Sequence, residues 1–209
     1  MYENGELFYA FYQGEVASDE NVAGNCASVA LIKAAIARFG IGHVFQTEGI
    51  ENGYKVKLRN GKEFSLNKNE LEKAKTASAL QRGTGSNEDV QRLYDEILDY
   101  AHLCFAVIVK YVYIYGEVCE NNIVKKVSSF DEAVKSVNDG LYTPLCYYHL
   151  GLENHIRKMK RLSSTNGLNA IVGWSLHHAV YINDQRYDNR GEPEGMTPKY
   201  YGRFQIIDK

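Results

Sequence analysis

The sequence predicts an α+β fold in which a buried N-terminal helix packs against an antiparallel β-sheet formed by the C-terminal half. Three observations support this prediction: a nearly all-apolar run at residues 27–39, helical spacing of apolar residues after position 88, and a last third rich in β-branched residues. The chain has 209 residues and no Pro/Gly/Ser-rich linker, so we expect one domain, residues 1–209, around a single core.

Composition and charge narrow the classes of partner. Hydrophobic residues make up 44% of the chain and charged residues 24%, which is typical of globular proteins. The net charge of −2 gives no broad basic field, so nucleic acid is not expected as a partner. The start, MYENGELFYAFYQ, lacks a basic segment followed by an apolar block, so no secretion signal is predicted in this chain. Cytoplasmic and processed, secreted locations both stay open.

The longest apolar stretch is expected to lie in the core rather than in a membrane. It covers residues 101–115 and is interrupted by His102 and Lys110. A bilayer span needs roughly 18 to 20 apolar residues, so the sequence predicts no membrane span.

The apolar run at residues 27–39 predicts the buried helix. Its polar residues do not gather on one helical face, so the helix should be covered nearly all round. Asn25 is expected to cap its start and Gly40 to end it in a left-handed conformation. Cys26 then lies in the first turn, where unpaired amide hydrogens and the helix dipole favour a thiolate. The polar residues of the run are Ser28, Lys33 and Arg38.

The middle of the chain predicts a hairpin followed by two helices. In GYKVKLRNGKEFSL, apolar and basic residues alternate, and Asn60-Gly61 is a strong signal for a tight hairpin turn. Glu88 and Asp89 open an amphipathic helix, and the following FAVIVKYVYIYG is compatible with either more helix or a strand. SSFDEAVKSVNDG predicts a short capped helix that closes at Gly140.

The last third predicts a second hairpin. LNAIVGWSLHHAVYI is rich in strand-forming residues, RYD returns after the turn, and KYYGRFQIID is expected to complete the sheet. A turn centred on Asn183 and Asp184 would bring His178 near Asn189, with Asp188 one residue away. The basic run HIRKMKRL, before this region, is expected to be irregular or part-helical, on a solvated face.

A cysteine nucleophile needs a base within hydrogen-bonding reach and a third group that orients the base. The four cysteines are scattered without a Cys-x-x-Cys pair, so free thiols are expected, with no zinc cage or disulfide framework. His177 and His178 point to opposite faces if both lie in a strand. We favour His178 as the base, because Ala-Val follows it, and Asp188 or Asn189 as the orienting residue.

This order of elements resembles the papain-like cysteine peptidase superfamily, and more loosely its calpain type. Gly24-Asn25-Cys26 before an apolar helix resembles the cysteine box, and His178-Ala179-Val180 resembles the histidine box. The resemblance implies a papain-like fold with Cys26 as nucleophile, His178 as general base and acid, and Asp188 or Asn189 as orienter. It also implies that the Cys26 backbone amide supplies one oxyanion-hole donor.

The second oxyanion donor departs from the pattern of this superfamily. Its usual place, six residues before the cysteine, is occupied by Glu20, which cannot donate when ionised. Asn21 can donate, and an asparagine at this offset resembles the arrangement in ubiquitin-specific peptidases; Gln13 is the alternative donor. Ala27 stands where a tryptophan often follows the cysteine, and no Asn-x-Trp-Gly box follows the histidine.

The sequence therefore predicts a thiol-dependent hydrolase, a cysteine protease that cleaves an amide bond of a peptide or protein through an acyl-enzyme. It is expected to need no metal or organic cofactor. One alternative keeps the triad but makes the protein a glutamine deamidase or a transglutaminase-like acyltransferase. The other is a catalytically inactive papain-fold binding module, because Glu20 replaces the expected amide.

Overall fold

A computed structural model describes residues 5–14, 24–160, 163–176, 178–195 and 202–208. It is a mixed α+β protein, as the sequence predicts. The α-helices are α1 (Glu6–Ala10), α2 (Cys26–Phe39), α3 (Lys68–Ala77), α4 (Glu88–Tyr115) and α5 (Phe130–Asp139). The strands are β1 (Phe11–Gln13), β2 (Gln46–Ile50), β3 (Gly53–Lys57), β4 (Glu63–Asn67), β5 (Leu80–Arg82), β6 (Glu117–Val118), β7 (Val124–Lys125), β8 (Ile156–Met159), β9 (Ile171–Trp174), β10 (Ala179–Asn183), β11 (Arg186–Asn189), β12 (Glu192–Gly195) and β13 (Gly202–Ile206). Three short 3₁₀ helices cover Glu120–Asn122, Thr143–Leu150 and Glu153–His155.

The principal sheet lies in the C-terminal half and packs against α2. Within the described residues it has six strands in the order β12-β11-β10-β9-β13-β8, with antiparallel neighbours throughout. Ten of the fourteen residues of α2 are buried, which agrees with the helix predicted to be covered on all sides. The rings of Phe8 on α1 and Tyr181 on β10 lie 5.2 Å apart, so α1 also contacts this sheet.

The ends of α2 differ in detail from the prediction. Asn25 precedes the helix, but its side chain does not cap it and instead donates to the Ser78 carbonyl at 2.6 Å. This contact ties the start of α2 to the end of α3, and it takes the place of a local cap. Gly40 ends the helix at φ 89° and ψ 167°, outside the left-handed helical region, and its N–H donates to the Ile36 carbonyl.

The first hairpin is present, with a longer turn than predicted. Strands β3 and β4 pair in antiparallel register, and Leu58 N–H donates to the Lys62 carbonyl at 2.9 Å. Three residues, 59–61, therefore form the turn, with Gly61 at φ 84°, where glycine carries no steric penalty. The strand β2 adds to the open edge of β3, and all five of its residues are exposed.

The segment that periodicity left open continues as helix. Helix α4 runs for 28 residues, and the Asn87 side chain accepts from Val90 N–H at its start. By length and composition α4 qualifies as a membrane-spanning helix, but 61% of its most apolar window is buried inside the protein. That burial is typical of a core helix. The predicted short helix is α5, capped by the Ser129 side chain.

Two predictions in the C-terminal half need correction. The basic run includes the edge strand β8, which pairs with β13, because pairing between segments distant in sequence determines its conformation. Charged Arg157 and Lys158 on this strand are exposed, as is common at sheet edges. The hairpin turn is centred on Asp184 and Gln185, both at positive φ, rather than on Asn183 and Asp184.

The observed register shows which side chains face α2. Asn183 stays in β10 and pairs with Arg186, and Ile182 pairs with Tyr187. Continued by one residue, this register brings Asp188 opposite Tyr181, which is fully buried in the core against α2. Successive strand residues alternate between faces, so Asn189 is directed to the opposite face.

Candidate active site

A narrow pocket at the N-terminal end of α2 brings together four of the predicted site residues. Cys26, His178 and Asp188 line it, and Gln13 at the end of β1 lines it as well. The volume of the pocket is about 20 Å³, which accommodates about one water molecule. The other described lining residues are Val29, Ala30, Ala179, Val180, Tyr181 and Arg190.

Cys26 is the first residue of α2 and is partly buried. Its Sγ lies 3.8 Å from the Gly24 carbonyl oxygen, to which the thiol donates. Burial raises the pKa of Cys26, while the backbone amides of Ala179, Ala27 and Cys26 itself act to lower it. The helix-terminal amides act in the predicted direction, but burial outweighs them. Burial therefore disfavours the thiolate that the helix-terminal amides favour.

His178 lies directly before β10, at the exposed edge of the pocket. Its carbonyl accepts from Ser175 N–H at 2.8 Å, which closes the connection from β9. Desolvation lowers the pKa of the imidazole, the Asp188 carboxylate acts to raise it, and Arg190 acts to lower it further. Desolvation thus favours the neutral ring, which is the form able to accept a proton. The neighbouring His177 lies outside the described residues.

Asp188 is held by a buried ion pair that sequence reasoning missed. Lys33 Nζ lies 2.7 Å from Asp188 Oδ2, with the lysine fully buried and the aspartate 7% exposed. Asp188 Oδ1 accepts from Gly191 N–H at 2.9 Å. The signal in the sequence was a lysine within an apolar helix, seven residues after Cys26 and so two turns along on the same face.

Asn189, the alternative orienter, lies away from the pocket. Its side chain is exposed and donates to Glu194 on β12. The observed register explains this placement, because Asp188 shares the face of Tyr181 and the next residue of the strand, Asn189, projects from the other face. Of the two residues that the sequence left eligible, Asp188 is the one that lines the pocket.

The candidate oxyanion donors divide between described and undescribed parts of the chain. Gln13 ends β1, which pairs with β5, and lines the pocket beside Cys26. Its carboxamide is able to donate a hydrogen bond that a carboxylate cannot. Asn21 and Glu20 lie outside the described residues. Gln13 and the Cys26 backbone amide are therefore the donors that the described geometry offers.

A larger, aromatic pocket has a volume of about 400 Å³. It is bounded by the 3₁₀ helix Thr143–Leu150 and by strands β8, β9 and β13. Trp174 on its wall pairs with Ala179, the residue whose amide acts on Cys26. On the other wall, Leu145 and Tyr147 flank Cys146, whose thiol interacts electrostatically with Cys26. One wall is therefore paired across the sheet with a residue that acts on Cys26, and the other wall is adjacent in sequence to one.

A third cavity, of about 610 Å³, lies at the opposite end of α2. Its lining includes His155 and Arg59, which contact the ring of Phe39, the last residue of the helix. A helix of fourteen residues is about 20 Å long, so this cavity is separate from the Cys26 pocket. Among the described residues, no three histidine, cysteine or acidic side chains cluster in a way that would hold a metal ion.

The remaining cysteines differ from Cys26 in their surroundings. All four are free thiols, as predicted. Cys104 and Cys146 are fully buried, and burial strongly raises the pKa of each. Cys119 is partly exposed and lies beside Glu117, which together with burial raises the pKa of its thiol. Of these thiols, Cys26 is the one that shares a pocket with a histidine.

Comparisons with known proteins do not identify a family. No protein-family model matches the chain, and no curated protein or solved structure gives a match.

Proposed function

We propose that this protein is a thiol-dependent hydrolase with a papain-like arrangement, which cleaves an amide bond of a peptide or protein. One observation carries the proposal: Cys26 at the start of a buried helix, His178 before β10 and Asp188 on the adjacent strand line one pocket. Nucleophile, base and orienter on separate elements are the combination that acyl transfer through a thiol requires.

The proposed reaction begins with proton transfer from the Cys26 thiol to the neutral His178 imidazole. The sulfur then attacks the substrate carbonyl carbon, and a C–S bond forms while the carbonyl oxygen takes up negative charge. The Cys26 amide and Gln13, or Asn21 in its place, donate to that oxygen. As the C–N bond breaks, His178 returns its proton to the leaving nitrogen. Water, activated by His178, then hydrolyses the thioester and restores the thiol.

Asp188 orients the imidazole in this scheme and stabilises the imidazolium. The Asp188 carboxylate acts to raise the pKa of the His178 ring. In an unliganded site, catalytic hydrogen bonds are often long and tighten when substrate binds. The neutral thiol and neutral imidazole are therefore compatible with proton transfer in the substrate complex.

The aromatic pocket gives the proposal a substrate preference. Its walls include Tyr142, Tyr147, Trp174 and Phe204, with Lys158 among the charged residues that line it. An apolar or aromatic side chain fills such a pocket with the largest gain from burial. We therefore propose peptides with a large apolar side chain near the scissile amide as substrates.

One observation favours a second candidate, an inactive binding module. Burial raises the pKa of Cys26, and no described residue makes a hydrogen bond to the His178 ring. In this candidate the aromatic pocket binds a peptide without cleaving it, and Cys26 is a structural thiol.

A peptide-mixture assay separates these candidates. The wild-type protein, Cys26→Ala and His178→Ala are incubated with a broad peptide mixture, and mass spectrometry detects new N termini, released ammonia and new amide links. New N termini that appear only with the wild-type protein support the hydrolase. Released ammonia would indicate a deamidase instead of a hydrolase, and new amide links would indicate an acyltransferase. Peptide retained unchanged by all three proteins, with equal affinity, favours the binding module.

A further inference from the structure

The Lys33–Asp188 pair needs an explanation beyond stability. It joins α2 to β11 with both side chains almost completely excluded from solvent. Taking two charges out of water offsets most of their mutual attraction, and a well-packed hydrophobic pair is often at least as stable. A buried ion pair beside a candidate active site therefore points to a role in that site.

The carboxylate of Asp188 is fixed from two sides but not saturated. Lys33 holds Oδ2 at 2.7 Å, and the Gly191 amide holds Oδ1 at 2.9 Å. An ionised carboxylate has about four acceptor positions, so these two donors leave capacity for a third. His178 lines the same pocket and responds electrostatically to Asp188. The carboxylate is thus oriented by two donors and still available to an imidazole.

Lys33 also connects the two flanks of the pocket. Its ammonium donates to the Phe8 carbonyl at 3.1 Å and lies 4.9 Å from the centre of the Phe11 ring. Phe11 begins β1, and Gln13, the candidate oxyanion donor, ends the same strand. One buried ammonium therefore contacts the strand that carries Gln13 and the strand that carries Asp188.

We infer that Lys33 is a positioning residue that holds the Asp188 carboxylate and shares it with His178. The inference rests on the proposed function for its catalytic meaning, although the sharing itself is a physical property of the resting protein. Lys33 takes up part of the charge of Asp188, so that less of it acts on His178. The imidazole then stays unprotonated at rest, in the form that accepts the thiol proton.

Titration of His178 by NMR, through its ring Cε1–H signal, tests the inference without any substrate. The charged or titratable groups described around His178 are Asp188, Arg190, Cys26 and Tyr181, with Lys33 behind Asp188. Lys33→Met removes the cation that pairs with Asp188, so the full charge of the Asp188 carboxylate acts on His178. The proton affinity of His178 is then expected to rise about threefold or more, roughly half a pH unit. Asp188→Asn is expected to lower it.

The double variant Lys33→Met/Asp188→Asn shows whether Lys33 acts on His178 through Asp188. In the Asp188→Asn background Lys33 has no carboxylate to pair with. Lys33→Met is therefore expected to shift the His178 midpoint by less than half of the shift that it causes in the wild-type background. Equal shifts in both backgrounds would show that Lys33 acts only as a distant charge, and no shift in a folded Lys33→Met protein would leave it a purely structural residue. Either result overturns the inference.

A measurement on the unmodified protein covers the case in which Lys33→Met fails to fold. The Lys33 ¹⁵Nζ signal is expected to change with pH at the midpoint of His178, because both groups interact with one carboxylate. A Lys33 signal that is flat through the His178 titration contradicts the inference. Neither experiment depends on turnover, so a negative peptide assay removes the proposed function and leaves the sharing of Asp188 intact.

Discussion

Trp174 on β9 is the register partner of Ala179 on β10, the residue that directly follows His178. Paired residues of antiparallel strands project from the same face of the sheet. The indole that forms a wall of the aromatic pocket therefore lies on the face that contacts Cys26. This relationship links the pocket to the site through the backbone of one strand pair.

The first prediction follows from this link. We expect Trp174→Leu to lower kcat/KM about tenfold for a peptide with a large aromatic side chain, since much of the apolar contact in the pocket is lost. The rate for a peptide with alanine at that position should change about twofold or less. Equal losses for both peptides would show that Trp174 supports the fold and does not select the substrate; thermal unfolding provides the control.

The second prediction concerns the protonation state of Cys26. Burial raises the pKa of its thiol, and thiolate is the form that reacts with iodoacetamide. Site-resolved mass spectrometry should therefore find that Cys26 alkylation accelerates with pH and reaches its midpoint above that of the same cysteine in the urea-unfolded protein. His178→Ala should leave this midpoint unchanged, because the groups that act on the thiol are backbone amides.

A plateau of fast Cys26 alkylation near neutral pH, lost in His178→Ala, would contradict this resting state. It would show a preformed thiolate–imidazolium pair instead of two neutral groups. Cys104 provides an internal control, because it is fully buried and should react more slowly than Cys26 at every pH in the folded protein.

The sequence was sufficient for features that depend on local pattern. The run at 27–39 is a buried helix, Glu88 and Asp89 begin α4, and Gly140 follows α5. These features were predictable because hydrophobic periodicity and the residues at helix ends reflect local energetics.

Other features depend on contacts between distant segments and were not predictable. Asn183 and Asp184 are both good turn residues, and only the pairing of β10 with β11 decides that the turn begins one residue later. In the sequence Lys33 is a lone charged residue in an apolar helix, and its partner Asp188 is known only once β11 is placed beside α2. The strand β2 carries no alternation, because all of its residues are exposed.

The third prediction separates the two candidate oxyanion donors. If Gln13 donates to the oxyanion, Gln13→Ala should lower kcat by about 10²- to 10³-fold with little change in KM. Asn21→Ala should then change kcat by less than about threefold. The reverse pattern would assign the donor to Asn21, and equal small effects would leave the Cys26 amide as the sole donor. Gln13→Glu is the matched variant, because it keeps the shape and removes the donor.

The fourth prediction concerns the acid stability of the fold. His149 is fully buried, and burial lowers its pKa to about 4. Its Nε2 accepts from Val118 N–H at 3.1 Å, and its Nδ1 lies 3.0 Å from the Cys146 carbonyl oxygen. Nδ1 therefore carries the proton, and a second proton on Nε2 would face the Val118 donor. The neutral ring joins the 3₁₀ helix beside Cys26 to β6.

The sign of the pH effect follows from this lowered value. An unfolded chain binds a proton at His149 below about pH 6.5, whereas the folded protein resists protonation until about pH 4. The contribution of His149 is therefore complete above pH 6.5 and is lost as the pH falls through this window. We expect the free energy of unfolding to decrease by about 3 kcal/mol between pH 7 and pH 4 from this residue alone.

Urea unfolding at several pH values measures this loss. His149→Gln should be less stable than the wild type at pH 7, because it loses a buried hydrogen bond, but its stability should depend less on pH between 6.5 and 4. His43→Gln, at an exposed histidine, is the matched control for replacing a histidine with glutamine. If His149→Gln shows the same slope as the wild type, another group controls the acid transition, and His102, with a pKa lowered to about 4 by burial, is the next residue to substitute.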